Sequence, residues 1–596
     1  MKNTKRFLSA VMALTLCAGM LSACSSNESA SGEATYAPQT GAAYDNYSTT
    51  AGTVEVNSGD DYYYEANSNN GVLQHSDAAA PTYHPTGDTT EVQVEGGVVG
   101  VEPNEDTAAA AEWEDDTDEA IDSVGDSYEN YFNTEEYNQI IENGFKSAVT
   151  EPLSTFSIDV DTASYANARR MIQEGGYIDP NAVRIEEFIN YFDYDYPEPS
   201  TDDPFSVTTE LSDCPWNNEA KLLLVGLKAE DIQREEREPL NLVFLIDVSG
   251  SMFSDDKLPL VQKAFAMLTD TLTEDDRISI VTYAGEERVV LKGTSGEDKE
   301  KIKEAINSLE AGGSTYGEAG INRAYELAEK NFISGGNNRV ILATDGDLNV
   351  GLSSEEELTE LIEEKRESGV FLSVLGFGTG NIKDNRMEAL ADHGNGNYSY
   401  IDSETEAKKV LVEEMSGTLY TVAKDVKIQV EFNPVNVSGY RLIGYENRAL
   451  ANEDFADDTK DAGEIGAGHT VTALYELIMN GSGVPETELK YQQNTVTTGN
   501  NDELLTVSLR YKQPDGDTSK LLAVPVKTAS YTAQMPKNMT FAAAAAEFGM
   551  VLRGSAFRGN ASCGQILELL EDYDYSGDEY KNEFVYLVRT MDRRGN

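Results

Sequence analysis

Histidine and cysteine are both scarce in this chain, with four of each among 596 residues. His75 and His84 lie in a stretch with little apolar patterning. His393 and His469 stand in no zinc spacing and beside no nucleophile signature, which removes zinc hydrolysis and triad chemistry. Gly312-Gly313-Ser314-Thr315 lacks the Gly-Lys-Ser/Thr ending of a phosphate-binding loop. Nothing in the sequence supports an enzyme. Basic residues are also few: 45 Lys and Arg against 105 Asp and Glu leave a net charge of −60. A nucleic-acid partner is thereby disfavoured, because phosphate binding needs cationic surface to release counterions.

Long apolar runs are missing too. The one near the start, Phe7 to Met20, is too short to span a bilayer and follows Lys2, Lys5 and Arg6. It ends on Leu21-Ser22-Ala23-Cys24, which resembles a bacterial lipobox. The resemblance implies an exported protein whose Cys24 is lipidated, anchored in the cell membrane on its extracytoplasmic face by that lipid alone. A plain signal peptide with a chance cysteine is the alternative. Cys17 leaves with the signal, so Cys214 and Cys563 remain. One pair is not a framework, and two buried free thiols are the simpler reading.

No Lys or Arg occurs between Arg6 and Lys146. The acidic, Gly/Ser/Ala-rich stretch 24–133 cannot bury enough apolar surface to order itself, so it reads as a disordered, self-repelling tether. Order is expected from Thr134, with a helix over Glu135–Ile141 and a strand over Thr155–Asp161. Asp159 and Asp161 sit at every second position, which fits the solvent side of a half-buried strand better than a metal site.

What is present is a run with strong character, NLVFLIDVSGSM from Asn241 to Met252. Leu242 to Ile246 suit a strand buried on both faces. Asp247, Ser249 and Ser251 then present oxygens at alternate positions, and Lys257–Thr271 has helical spacing. A strand, polar loop and helix in succession put these oxygens at the carboxyl end of a sheet, where open α/β folds bind ligands. Oxygen-only donors suit a hard divalent cation. Gly312-Gly313-Ser314-Thr315 lies between two helical patterns, and Ala343-Thr344-Asp345-Gly346-Asp347 follows another buried-strand run. From Pro239 to Gly417 strands and helices alternate, which predicts a mostly parallel, doubly wound sheet with Val289–Leu291 as its antiparallel edge. The closing helix of this unit is expected over Glu404–Met415.

In these motifs the chain resembles the von Willebrand factor type A (VWA) domain, an α/β, Rossmann-like fold with a metal-ion-dependent adhesion site. The resemblance implies Asp247, Ser249, Ser251, Thr315 and Asp345 as metal residues, the hydroxyls coordinating and the carboxylates acting largely through water. Mg2+ is the implied ion, with Mn2+ or Ca2+ as alternatives. Waters leave a position that a protein ligand's Asp or Glu completes. Asp347 is a further candidate, and Asp255 with Asp256 a neighbouring cation site.

Longer stretches are similar to a family of exported bacterial VWA proteins: Ser154–Tyr165, Arg184–Phe192 and Cys214–Asn217 to its N-terminal extension, Gly439–Leu450 and Asp457–Gly466 to its C-terminal domain of unknown function. The expected organisation is a signal (1–23), tether (24–133), N-terminal extension (134–238), VWA domain (239–417), β-rich domain (418–535) and helical segment (536–596). Alternating strands after Gly417 suggest an antiparallel β-sandwich-like region, and Asn452–Gly468 a solvated acidic loop. Phe205–Leu227 and Val426–Val526 lack a complete core alone, so the flanks should pack together around an inserted VWA unit, as in the hybrid-domain arrangement of integrin β chains. The functional expectation is a surface lipoprotein binding a protein partner through a metal. The alternative is a structural or assembly factor of the cell envelope in which the metal is secondary. No oligomeric state follows. Cys24→Ser should abolish lipid labelling and release the protein or leave it uncleaved; unchanged labelling and membrane fractionation would contradict the anchor.

Overall fold

The computed structural model describes residues 134–200, 203–232, 237–313, 317–346, 355–414, 417, 419–480, 502–514 and 516–595. All belong to the compact unit 121–596. The expected signal, lipidated Cys24 and tether lie outside the described residues, as do Thr315 and Asp347. Among the described residues no helix is long and apolar enough to cross a membrane.

Before the central unit come β1 (Lys146–Ser147), β2 (Leu153–Ser157), α1 (Ala163–Glu174), α2 (Ile185–Asn190), β3 (Phe205–Asp213) and β4 (Ala220–Ala229). The central unit holds β5 (Leu240–Asp247), α3 (Leu258–Thr271), β6 (Arg277–Ala284), β7 (Glu286–Ser295), α4 (Lys299–Asn307), α5 (Gly317–Lys330) and β8 (Asn337–Thr344). It closes with α6 (Glu355–Arg366), β9 (Phe371–Phe377), α7 (Asp384–His393), β10 (Tyr398–Ile401) and α8 (Glu404–Lys408). After it come β11 (Thr421–Phe432), β12 (Val437–Ile443), β13 (Gly463–Gly466), β14 (Thr470–Met479), β15 (Glu503–Lys512) and β16 (Lys520–Lys527). Three helices end the chain: α9 (Lys537–Arg553), α10 (Cys563–Leu569) and α11 (Glu579–Arg594).

The central sheet runs β10-β9-β8-β5-β6-β7, parallel except for β7. Every residue of β5 is buried, as its unbroken apolar run requires. The order reverses between β5 and β8, so the crevice of a doubly wound sheet opens at their carboxyl ends.

The flanks share their sheets. In β1-β12-β14-β4-β3, β14 pairs antiparallel with β4 from Thr470↔Lys228 to Ile478↔Ala220. In the second sheet β11 pairs with β2 on one side and β15 on the other. The sheets face each other through rings such as Phe432 stacked on Tyr440, centroids 3.8 Å apart, and Phe156 against Tyr445 at 4.9 Å. The expected packing of the two flanks around an inserted central unit is therefore met by strand pairing. Helices α2, α9, α10 and α11 cover the outer face of the first sheet. Cys214 and Cys563 are free and buried.

Guanidinium groups fasten the central unit to this base. Arg169 on α1 reaches Asp402 at 2.6 Å, Glu406 at 2.8 Å and Glu583 at 3.0 Å. It also donates to the Tyr191 hydroxyl at 2.8 Å, which saturates its fork. Arg184 holds Asp384 at 2.6 Å. Arg448 meets Asp392 at 2.6 Å, Asp161 at 3.2 Å and Asp159 at 3.3 Å.

Four local expectations are corrected. Glu135–Ile141 is not a helix: Glu136 bridges in parallel to Lys383 and gives its amide to Ile382 O, and the Ile140 amide goes to Asn181 Oδ1. Asp159 and Asp161 lie past the end of β2 and are buried, both carboxyls facing Arg448 from far along the chain. Asn452–Gly468 is not simply a solvated loop, since it contributes β13 to the second sheet. The closing helix stops at Lys408 and continues over Lys409–Glu413 as a wider π-helical turn, with Lys409 buried over the Tyr191 ring.

Glu547, in the Ala-rich middle of α9, is fully buried with both carboxyl oxygens lacking a hydrogen-bond partner. Burial pushes it up to about 8. Near pH 4 the carboxyl is protonated whether folded or unfolded. As pH rises towards 8 the unfolded chain gives up this proton and the folded one keeps it, so stability falls across that window and levels off above it. Glu547→Gln should match the wild type near pH 4 and exceed it by up to about 4 kcal/mol at pH 8 in urea melts.

Candidate metal centre

The centre is built where β5 stops. The Asp247 side chain is buried and turns back to accept the Ser249 amide at 2.8 Å, which fixes the loop. This turn sets the Ser249 hydroxyl 3.0 Å from that of Ser251. Ser249 is buried and Ser251 exposed, so the pair runs from the sheet edge to solvent. The next parallel strand, β8, ends at Thr344 and so brings Asp345 beside the end of β5. Thr344 Oγ1 donates to the other Asp247 oxygen at 3.4 Å. Asp247, Ser249, Ser251 and Asp345 thus lie at the carboxyl ends of the adjacent strands β5 and β8.

The loop ahead of Thr315 is docked on this turn: Gly312 N donates to Val248 O at 2.7 Å, and Gly250 N donates to Gly313 O at 3.1 Å. Asp255 is exposed and Asp256 partly so, with Ser254 hydrogen-bonded to Asp256. No group of three His, Cys, Asp or Glu among the described residues is arranged to hold a metal. The candidate centre therefore depends on its hydroxyls.

Two neighbours escape a reading of the motif alone. Lys257, which precedes α3, is buried and places its ammonium 2.9 Å from Asp345 and 3.1 Å from Asn381 Oδ1. Its alkyl chain lies against Gly378, where any Cβ would collide with it. Gly346 adopts φ +94°, and a Cβ there would lie 2.6 Å from Lys383 N. Glycine is required on both counts. The only sequence signal for Lys257 was a basic residue six positions beyond Ser251, opening a helix.

The two carboxylates are held differently. Burial pushes Asp247 up to about 6, and Asp345 nearby adds to this while the Ser249 amide works against it. Burial would also raise Asp345, but the Lys257 ammonium, with hydrogen bonds from Asn381 and Ser251, holds it below the usual carboxylate range. Two acids and one ammonium leave net negative charge among converging oxygens. That donor set fits a hard divalent cation and offers nothing soft.

Comparison with known proteins agrees with this architecture. Residues 241–414 match the von Willebrand factor type A domain, and 131–224 match a model described as von Willebrand factor. Residues 417–593 match the C-terminal region of the uncharacterized protein YfbK. Against YfbK of Escherichia coli K12 the identity is 45% over 470 residues, covering 77% of this chain and 81% of that protein. The chain belongs to the YfbK family. Human inter-alpha-trypsin inhibitor heavy chain H3 is 29% identical over 194 residues, covering 31% of this chain and 22% of its own length. Among solved structures, a von Willebrand factor type A protein from Catenulispora acidiphila aligns with a TM-score of 0.39 and 15% identity, over 67% of this chain and 91% of that one.

In this YfbK-family protein, Lys257→Met keeps the packing on Gly378 and removes one positive charge from the site. Mg2+ should bind roughly tenfold more tightly by calorimetry. Weaker binding would mean that the ammonium serves to orient Asp345 instead.

Proposed function

We propose that this protein is a divalent-cation-dependent binding module for a protein partner, exported and held to the cell membrane through a lipid on Cys24. The observation that carries the reading is the convergence of Asp247, Ser249, Ser251 and Asp345 at the switch point of a doubly wound sheet, open to solvent at Ser251. Ser249, Ser251 and Thr315 would hold the ion by their hydroxyls, with Asp247 and Asp345 supplying charge directly or through water. Mg2+ is the proposed ion, with Mn2+ or Ca2+ able to replace it. A bound ion supplies positive charge and an open coordination position, which suits an Asp or Glu carboxylate from the partner. The chain's own contribution is rigidity: the Ser249 amide fixes Asp247, and the buried β5 and β8 fix the spacing of the two acids.

A second reading, a structural or assembly factor of the envelope, is favoured by how much of the molecule is base. Two buried arginines, Arg169 and Arg184, and the half-buried Arg448 lock the VWA unit to it. Asp247→Ala should cut Mg2+ affinity at least about a hundredfold while leaving the thermal transition in place. Thr315→Ala should weaken partner capture more than Mg2+ binding. Both are read by calorimetry and by crosslinking capture with and without chelator. A partner held equally by wild type and Asp247→Ala in excess chelator would favour the structural role.

A further inference from the structure

The first described residues form a strap against the rim of the metal centre. Thr134 N donates to Gly380 O at 2.8 Å and Glu136 N to Ile382 O at 2.9 Å, in a short parallel bridge between Glu136 and Lys383. Lys383 Nζ returns to Thr134 O at 2.5 Å and to Glu136 at 2.6 Å. The buried Glu135 carboxylate joins three elements. It accepts the Gly380 amide at 2.9 Å, Arg170 of α1 at 3.1 Å and the Tyr137 hydroxyl at 3.0 Å. Tyr137 is fixed in turn by Asn167 at 2.7 Å.

The segment so held, Gly378 to Lys383, is the one that backs the candidate centre. Asn381 receives the Lys257 ammonium, Gly378 lies under the Lys257 alkyl chain, and Asn381 to Lys383 press on the backbone of Gly346, next to Asp345. Two contacts therefore separate Glu135 from Asp345: Glu135 to the Gly378–Lys383 segment, and that segment to Gly346 and Lys257. The strap also ties the segment to α1, which belongs to the base, so the position of Asp345 is referenced to a part of the molecule outside the VWA unit.

We infer that Glu135 and the Thr134–Glu136 strap are positioning elements of the metal centre, fixing the Gly378–Lys383 segment and through it Asp345. This rests on the metal reading above. An outer support of this kind acts by holding a ligand in place, and its loss is felt as weaker metal binding.

The test uses the full chain, with Mg2+ alone as probe. Glu135→Gln removes the charge that gathers Arg170 and the Gly380 amide; Lys383→Met removes the second anchor and serves if the first variant folds poorly. Calorimetry should give Mg2+ binding roughly 3- to 10-fold weaker in each. Hydrogen exchange, read without metal, should quicken about tenfold at the Thr134, Glu136 and Gly380 amides while the β5 amides keep their rates. Arg366→Gln, which breaks a pair with Asp461 elsewhere between VWA unit and base, should change neither readout. Wild-type Mg2+ binding that both strap variants retain unchanged overturns the inference alone. A wild type that binds no Mg2+ overturns the metal reading and the inference with it.

Discussion

The pairing of β4 with β14 is the constraint on which the molecule depends. Nine consecutive residue pairs join strands separated in sequence by the whole VWA unit. A slip of one residue would turn Leu223, Val225 and Leu227 out of the core that they share with Val471, Ala473 and Tyr475, and put the other face of each strand in their place. Because β2 and β11 repeat the arrangement in the second sheet, the VWA unit enters and leaves a base that neither flank completes alone. The ends of the insertion are thus held together by strand pairing, and the carboxyl ends of β5 and β8 are displayed on a fixed platform.

Charge organises the junction between platform and insertion. A buried arginine facing several carboxylates is costly to desolvate, and it is kept where the geometry satisfies every donor. Arg169 meets that condition with Asp402, Glu406, Glu583 and Tyr191. Arg448 does so less fully, and burial, with Asp159 next in weight, raises Asp161 well above the ordinary carboxylate range despite Arg448. The −60 net charge of the chain makes such pairing valuable: each arginine brought inside neutralises acids that would otherwise repel one another across the junction.

The parts legible in the sequence were those written in local pattern. Leu242 to Ile246 announce a strand buried on both faces, and Asp247, Ser249 and Ser251 follow it at fixed spacing, so the strand and the polar turn that ends it could be read before any contact was known. The insertion was legible for a different reason, since strands on each side lacked enough apolar partners. What stayed hidden was set by distant partners. Asp159 and Asp161 alternate as a solvent-facing strand does, yet Arg448, 287 residues from Asp161, draws them inside. The stretch after Thr134 has helical composition, but Gly380 and Ile382 offer its backbone a bridge that local propensity cannot foresee. Lys257 looks like any helix-opening lysine until Asp345, 88 residues on, claims its ammonium.

The central claim is that Asp247, Ser249, Ser251 and Asp345 hold a divalent ion. Crystals of the intact chain grown with Mn2+ would test it most directly, through an anomalous difference map. The account predicts one dominant peak bounded by the two serine hydroxyls and the Asp247 and Asp345 carboxylates, lost in Asp247→Ala. A strong peak elsewhere with none at these residues would contradict it.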